Sequence, residues 1–269
     1  MDYSGAPMSL NIAVCVKRVP DTAADKILDP TDFTLGRDPE ESILNPVDEV
    51  AVEEALRLKE AHGGEVTAVC AGPDEALKAI RRALSMGCDR AVHLADPALH
   101  GSDAQAIAYA LACVLRRGSY DLVLCGSEST DARTSLVPPA VAEHLGIPGL
   151  CYAKAVQVED GRVQIHRERD QGHDVVEAPL PALVGVNWGS NEPRYPSFMG
   201  IQQARKKPVE VLDLAAAGVD PGRVGLEGSQ SRVLGFAARS ADRRHLIVDN
   251  KDGNAHLRLA DFLQESRLL

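Results

Sequence analysis

The stretch LCGSESTDARTS, Leu124 to Ser135, gathers hydroxyls, carboxylates and an arginine between two apolar segments. Ser127, Ser129, Thr130 and Ser135 offer hydroxyl donors, and Arg133 offers a charge-assisted one, a set suited to the oxygens of a phosphate. A helix pattern follows, and the free N–H groups and dipole of a helix start also attract an anion. Thr134 or Ser135 can cap that helix, and Pro138 and Pro139 fall in its first turn, where a missing N–H costs least. By itself the stretch also reads as a solvated loop with ordinary caps. It matches neither GxGxxG nor GxxxxGK[ST]. No nucleophile is paired with a base and an orienting group, so no catalytic residue is expected. His62, His93, His100 and His144 are isolated, and His144 reads as a packing or surface residue. The six cysteines (Cys15, Cys70, Cys88, Cys113, Cys125 and Cys151) are scattered without a CxxC spacing. They read as small buried side chains of a reducing compartment, with no metal site.

The elements that must hold this stretch are legible from periodicity. Continuous apolar runs at 11–16, 66–70, 91–94, 122–125 and 182–186 suit strands covered on both faces. Helical stripes lie between the first four: Val52, Ala55 and Leu56; Leu77, Ile80 and Leu84; Ile107, Ala110, Leu111, Val114 and Leu115. Ser102 and Gln105 have the spacing of a capping box for the third. Val137, Ala140, Val141, His144 and Leu145 form a fourth stripe that ends at Gly146. Alternating strands and helices imply right-handed βαβ units and a parallel sheet, with ligands beyond the carboxyl ends of the strands. The loops after Val16, Cys70, Leu94 and Cys125 then share one rim. Two more rim elements join them. In Leu44 to Glu49, Asn45 or Asp48 can cap the next helix, and in Ala71-Gly72-Pro73 the glycine permits close approach of a ligand. Farther on, Asp160-Gly161 marks a hairpin between 154–158 and 162–166.

Composition bounds the reading. The chain has 269 residues, is 45% hydrophobic and 25% charged, and carries a net charge of −10. That charge argues against nucleic acid and acidic membrane surfaces as partners. No apolar run approaches the ~18–20 residues of a membrane span, and MDYSGAPMSLN does not resemble a secretory signal, so a cytoplasmic protein is expected. Residues 1–8 are expected to be a disordered lead, with Met1 or Met8 as the start. Residues 9–187 read as one α/β domain and 188–269 as a docking loop and arm that packs on something else.

Several segments, in order, resemble the beta subunit of electron transfer flavoprotein in its bacterial Fix-related branch. They are VKRVPDT (16–22), NPVDEVAVEEALRLKE (45–60), AGPDEALKAIRRALSMGCDRAVHL (71–94), GSDA (101–104), GSESTDA (126–132), RERDQG (167–172) and LPALVGVNWGSNEPRYPSFMGIQQARKK (180–207). The resemblance implies a parallel-sheet nucleotide-binding domain, adenine-nucleotide alpha-hydrolase-like, with a C-terminal arm that embraces a partner. It implies a heterodimer with a larger alpha subunit that holds most of the FAD, and AMP in a pocket of this chain. By position the pocket comprises Cys15, Asn45, Pro46, Val47, Asp48, Ala71, Gly126, Ser127, Glu128, Ser129, Thr130, Asp131, Ala132, Arg133, Thr134, Ser135, Leu136 and Val137. Those are the rim loops found from the pattern alone. A docking loop is implied at about Val186–Lys207, with Asn191, Glu192, Pro193, Arg194, Tyr195 and Phe198, and Phe198 at its tip between Pro196 and Gly200. The implied role is an electron carrier without catalytic residues, from flavin dehydrogenases such as acyl-CoA dehydrogenases to a membrane quinone oxidoreductase or another acceptor. Asp131-Ala132-Arg133-Thr134 followed by Leu136 departs from the family's usual Asp-Gly-Asp-Thr and Gln. Two alternatives stand beside this: an electron-bifurcating type with a second FAD in place of AMP, and a stand-alone adenine-nucleotide protein of the universal-stress type.

Overall fold

A computed structural model describes residues 9–37, 41–237 and 247–268. The lead expected over 1–8 lies outside the described residues. In chain order the elements are β1 (Leu10–Cys15), β2 (Arg18–Pro20), β3 (Ser42–Leu44), α1 (Pro46–His62), β4 (Gly64–Ala71), α2 (Leu77–Met86) and β5 (Arg90–Leu94). Then come α3 (Ala104–Leu115), β6 (Leu122–Gly126), α4 (Val137–Leu145), β7 (Gly149–Ala153), β8 (Ala155–Glu159), β9 (Arg162–Arg169), β10 (Gly172–Pro179) and β11 (Ala182–Val186). The remainder are α5 (Phe198–Ala204), β12 (Val209–Leu212), α6 (Leu214–Ala217), α7 (Gly225–Gly228) and α8 (Ala255–Glu265).

Seven strands form one sheet in the order β12-β5-β4-β1-β6-β11-β7, and every pairing in it is parallel. Continuous apolar strands follow from helices on both faces. Ile12, Val14, Val66, Ala68, Leu122 and Leu124 point to the side of α1 and α2 and meet Ala55, Ile80 and Leu84. Ala13, Cys15, Val69, Val123 and Cys125, the alternate positions, point to the side of α3 and α4 and meet Leu111, Val114 and Val141. Each buried Leu or Val removes enough apolar surface to contribute roughly 1.5–3 kcal/mol. The Asp160-Gly161 hairpin forms as expected. Both residues are left-handed (φ 48° and 74°), β8 pairs with β9, and β10 completes an antiparallel three-stranded sheet.

Helix ends show where local pattern misleads. The cap of α3 is Asp103, one residue after the serine of the expected capping box; its Oδ1 accepts from the Ala106 N–H at 2.9 Å. Ser102 is spent elsewhere, because its Oγ accepts from the Gly225 N–H at 2.7 Å. Neither Thr134 nor Ser135 caps α4, whose N-cap is Leu136.

The α/β domain runs past 187, where the sequence reading ended it. Val209–Leu212 pair in parallel with β5 as the edge strand of the main sheet. Residues 225–231 strap the start of α3: Ser229 Oγ accepts from the Asp103 N–H at 2.8 Å, and Asp103 Oδ2 accepts from the N–H groups of Gln230 and Ser231. The first compact unit therefore extends to Val233, and a second begins at Leu234. Within the second, α8 has no buried residue and exposes Leu257, Leu259 and Phe262.

Candidate functional site

The strand order reverses at β1. The chain first adds β4 and β5 on one side and later places β6 on the other, so the crevice for a ligand lies beyond the carboxyl ends of β1 and β6. Val16 and Lys17 leave one strand there, and Gly126 and Ser127 leave the other. The start of α1 enters the same crevice. A side chain at Gly126 would put its Cβ 2.4 Å from Asp48 Oδ1 and 2.9 Å from the Val47 carbonyl carbon, so only glycine lets β6 approach α1 this closely.

Asn45 does not cap α1 with its side chain but stitches α1 to the loop after β6. Its Nδ2 donates to Asp48 Oδ1 (2.8 Å) and to the Glu128 carbonyl (3.0 Å), and its Oδ1 accepts from the Thr130 N–H (3.2 Å). Asp48 Oδ2 accepts from the Lys17 N–H at 2.8 Å. Burial pushes the Asp48 carboxyl up to about 7, against the bonds from Asn45 and the Lys17 amide.

Asp131 organises the charges. Its side chain has no exposed surface; Lys17 Nζ lies 2.7 Å from Oδ1, and Arg37 Nη2 lies 2.7 Å from Oδ2. Lys17 Nζ also donates to Ser129 Oγ at 3.1 Å. Burial opposes the ionised form of Asp131, but Lys17 and Arg37 outweigh it and hold the carboxyl at about 2. Burial lowers the Lys17 pKa, and Asp131 works against that. Sequence reasoning missed both cations. Lys17 had a signal, a basic residue at the carboxyl end of the first strand, whereas Arg37 had none.

The second half of the loop is shaped differently. Arg133 and Ser135 are left-handed (φ 49° and 51°), rare for side-chain-bearing residues and of the kind that forms anion-binding concavities of N–H groups. Pro138 and Pro139 remove two N–H groups from the first turn of α4, so hydrogen bonds to an anion must come from the loop more than from the helix. Ala132, Arg133, Thr134 and Leu136 are exposed. Ser127 is buried with its Oγ 3.3 Å from Asn187 Oδ1, and Ser135 Oγ donates to Glu128 Oε2 at 3.4 Å. Thr130 Oγ1 is buried and has no partner. Cys15 and Cys125 sit side by side in register as the crevice floor, and the Cys15 contact and burial push the Cys125 thiol up. Pro46 and Val47 are in the first turn of α1, while Ala71 ends β4 and packs on the core of the α3 side.

The segment expected to dock a partner is ordered differently from a protruding tip. Phe198 is the first residue of α5 rather than part of a loop broken by Pro196 and Gly200. Ser197 caps that helix, and its Oγ accepts from the Gly200 N–H at 3.0 Å. Phe198 is 74% exposed and Tyr195 89%, with Met199 and Ile201 exposed beside them. Asn191 and Arg194, by contrast, turn inward to α1. Asn191 Nδ2 donates to the Val50 carbonyl (3.1 Å) and Glu54 Oε2 (2.9 Å). Arg194 forks onto Glu53 (Nε to Oε2 2.7 Å, Nη2 to Oε1 3.1 Å) and onto Glu60 (Nη1 to Oε1 2.5 Å). Burial would raise the Glu53 pKa, but Arg194 and Arg57 bring it down.

Residues 32–217 match the family described as "Electron transfer flavoprotein domain". The chain belongs to the electron transfer flavoprotein family. It is 45% identical over 250 residues to "Electron transfer flavoprotein subunit beta" of Mycobacterium leprae, covering 90% of this chain and 94% of that one. It is 39% identical to the protein of the same name from Thermoanaerobacterium thermosaccharolyticum, covering 97% of this chain and all of the other. It is also 36% identical to "Caffeyl-CoA reductase-Etf complex subunit CarD" of Acetobacterium woodii, over 84% of this chain and 86% of that one. Membership carries the general role of flavin-linked electron transfer. The parallel-sheet architecture with helices on both faces is the fold expected of the family. Among the described residues no helix is long and apolar enough to cross a membrane.

An orphaned buried hydroxyl on Thr130, the left-handed turns at Arg133 and Ser135, and the exposed Arg133 guanidinium suit a ribose phosphate. Lys17 and Arg37 are already engaged by Asp131. They brace the loop from behind.

Proposed function

We propose that the chain is the nucleotide-bearing, docking half of a heterodimeric electron transfer flavoprotein in the cytoplasm. Its partner is a larger alpha subunit that holds most of one FAD. It keeps one AMP in the β1/β6 crevice. It takes electrons from flavin dehydrogenases, acyl-CoA dehydrogenases among them, toward a membrane quinone oxidoreductase or another acceptor. FAD supplies the redox chemistry when bound; the residues of this chain bind, position and dock. The single observation that carries the nucleotide assignment is the buried Thr130 Oγ1 without a partner, inside a loop fixed by Asn45 and Asp131 at the switch in strand order. A buried hydroxyl left unpaired costs ~1–3 kcal/mol, which a ligand that supplies the missing bond recovers. Arg133 reaches solvent beside it and would serve one phosphate or the pyrophosphate of a second FAD.

Denaturing the purified complex and separating the released nucleotides tests this reading. One AMP per chain and one FAD per heterodimer is the expected result. Two FAD and no AMP would replace AMP with a second flavin, and nothing beyond one FAD would remove the crevice assignment. In the same reading α8, with Leu257, Leu259 and Phe262 exposed, covers its apolar surface on the alpha subunit. A colourless, well-behaved monomer that never binds an alpha-type subunit would overturn the carrier role.

A further inference from the structure

Arg194 spends every side-chain bond on α1 and none on solvent-facing groups of its own segment. Glu53 is only 5% exposed, and Arg194 meets it three times: through the N–H of its own backbone (3.2 Å), through Nε and through Nη2. The same guanidinium reaches Glu60, two turns farther along α1, from Nη1 and Nη2. A planar fork satisfied on two carboxylates fixes orientation as well as position, which a lysine cannot do. Three residues later Ser197 caps α5, and the Gly200 and Ile201 N–H groups both bond back to Ser197. The other end of α5 is held separately. Arg81 Nη1 donates to the Ala204 and Lys207 carbonyls at 2.6 and 2.9 Å, and Lys207 Nζ donates to the Leu84 and Cys88 carbonyls. Between the two anchors α5 lies tight on α2: a Cβ on Gly200 would stand 2.6 Å from the Ser85 carbonyl oxygen.

We infer that Arg194 is a positioning residue for partner docking: by clamping residues 191–197 to Glu53 and Glu60, it holds Tyr195, Phe198 and Met199 in one fixed array before a partner arrives. The inference rests on the docking role proposed above. Its physical content is preorganisation. Exposed apolar anchors on a rigid platform bind with less ordering cost than the same side chains on a mobile loop. Arg81 and Lys207 fix the far end of α5, so loss of Arg194 frees the end that carries the anchors and leaves the rest in place.

The experiment compares the wild-type complex with complexes carrying Arg194→Gln, Arg194→Lys and Phe198→Ala. Amide hydrogen exchange is read first. In Arg194→Gln the Gly200 and Ile201 amides should exchange about tenfold faster, as for a local opening made 1.4 kcal/mol easier. The Lys206 amide, at the end held by Arg81, should keep its rate, and Arg194→Lys should fall between. Unchanged exchange at Gly200 and Ile201, or a uniform rise across β1, α3 and α5 alike, overturns the inference. Electron uptake from an acyl-CoA dehydrogenase of the same host is read second. Arg194→Gln should raise the KM for the dehydrogenase about tenfold with kcat within about twofold. If Phe198→Ala raises that KM and Arg194→Gln does not, the positioning role fails while docking stands. If Phe198→Ala leaves KM unchanged, the docking reading itself fails.

Discussion

Replacing Asp131 by asparagine removes the anion that two buried-side cations share. In the native chain Lys17 and Arg37 hold the Asp131 carboxyl at about 2, against an ordinary value of 3.8. At ~1.36 kcal/mol per pKa unit, that depression stabilises the folded state by about 2 kcal/mol at neutral pH. The substitution also strands the Lys17 ammonium, and removing one partner of a buried pair costs roughly 3–5 kcal/mol. Lys17 keeps 38% of its side chain exposed, and solvent screening brings the expected cost below that range, to about 2–3 kcal/mol. For a domain of this size that is a fall in Tm of about 5–10 °C. The pH dependence carries a sign. A depressed carboxyl gives stability that is present above 3.8 and is lost as pH falls toward 2, so the Asp131→Asn protein should lose less on acidification than the wild type. Denaturant midpoints at pH 2.5, 3.5 and 7 measure both effects. The double substitution Lys17→Met with Asp131→Asn should recover part of the loss, because no ammonium is then stranded. Equal stability of Asp131→Asn and wild type at pH 7 would refute the account of the loop as held by this charge cluster.

Asp48 runs the other way. Its carboxyl is raised to about 7, so its contribution is full below 3.8 and is lost as pH rises through 7. Wild-type stability should therefore decline by up to about 1.4 kcal/mol per pH unit between pH 5 and 7 from this one group. Asp48→Asn should flatten that slope in denaturant titrations at pH 5, 6, 7 and 8, and parallel curves would exclude Asp48 as its source. Gly126→Ala forces a methyl into the Asp48 carboxylate and should cost about 1–3 kcal/mol. It should also lower the nucleotide recovered from the purified complex, whereas a variant with full nucleotide content and unchanged Tm would remove the close approach of β6 to α1 from the argument.

The sheet was legible because its central strands are buried on both faces, which writes itself as unbroken apolar runs such as Ile12 to Val16 and Leu122 to Cys125. The edge was not. In β12, Val209 to Leu212, only Leu212 is buried, so the run looks like ordinary arm sequence. α5 was hidden by Pro196 and Gly200, read as breakers. Pro196 lies just outside the cap, and Gly200 is tolerated in the helix because Ser85 leaves no room for a side chain. Around the crevice the backbone elements were legible as rim loops, since strand order dictates them. The pairings Lys17–Asp131 and Arg37–Asp131 join positions 114 and 94 residues apart, and no local period encodes such a meeting. The docking residues came from the resemblance, and a run of polar and aromatic residues without periodicity gives no hint that Asn191 and Arg194 turn in.

Helix α1 sets an order on the making of the protein. It leaves the ribosome early, yet it buries Glu53 and Glu54, whose partners Arg194 and Asn191 are 141 and 137 residues downstream. Until those residues emerge, Glu54 lacks Asn191 and Glu53 has only Arg57 of its own helix, so the face of α1 that bears them stays in water. At ~5–20 residues per second, that is a wait of roughly 7–30 s. Contacts of such long span also slow folding, because the loop they close is ordered before they contribute anything. The polar face of α1 is thus the last part of the first βαβ unit to be covered, after more than two thirds of the sequence has been synthesised.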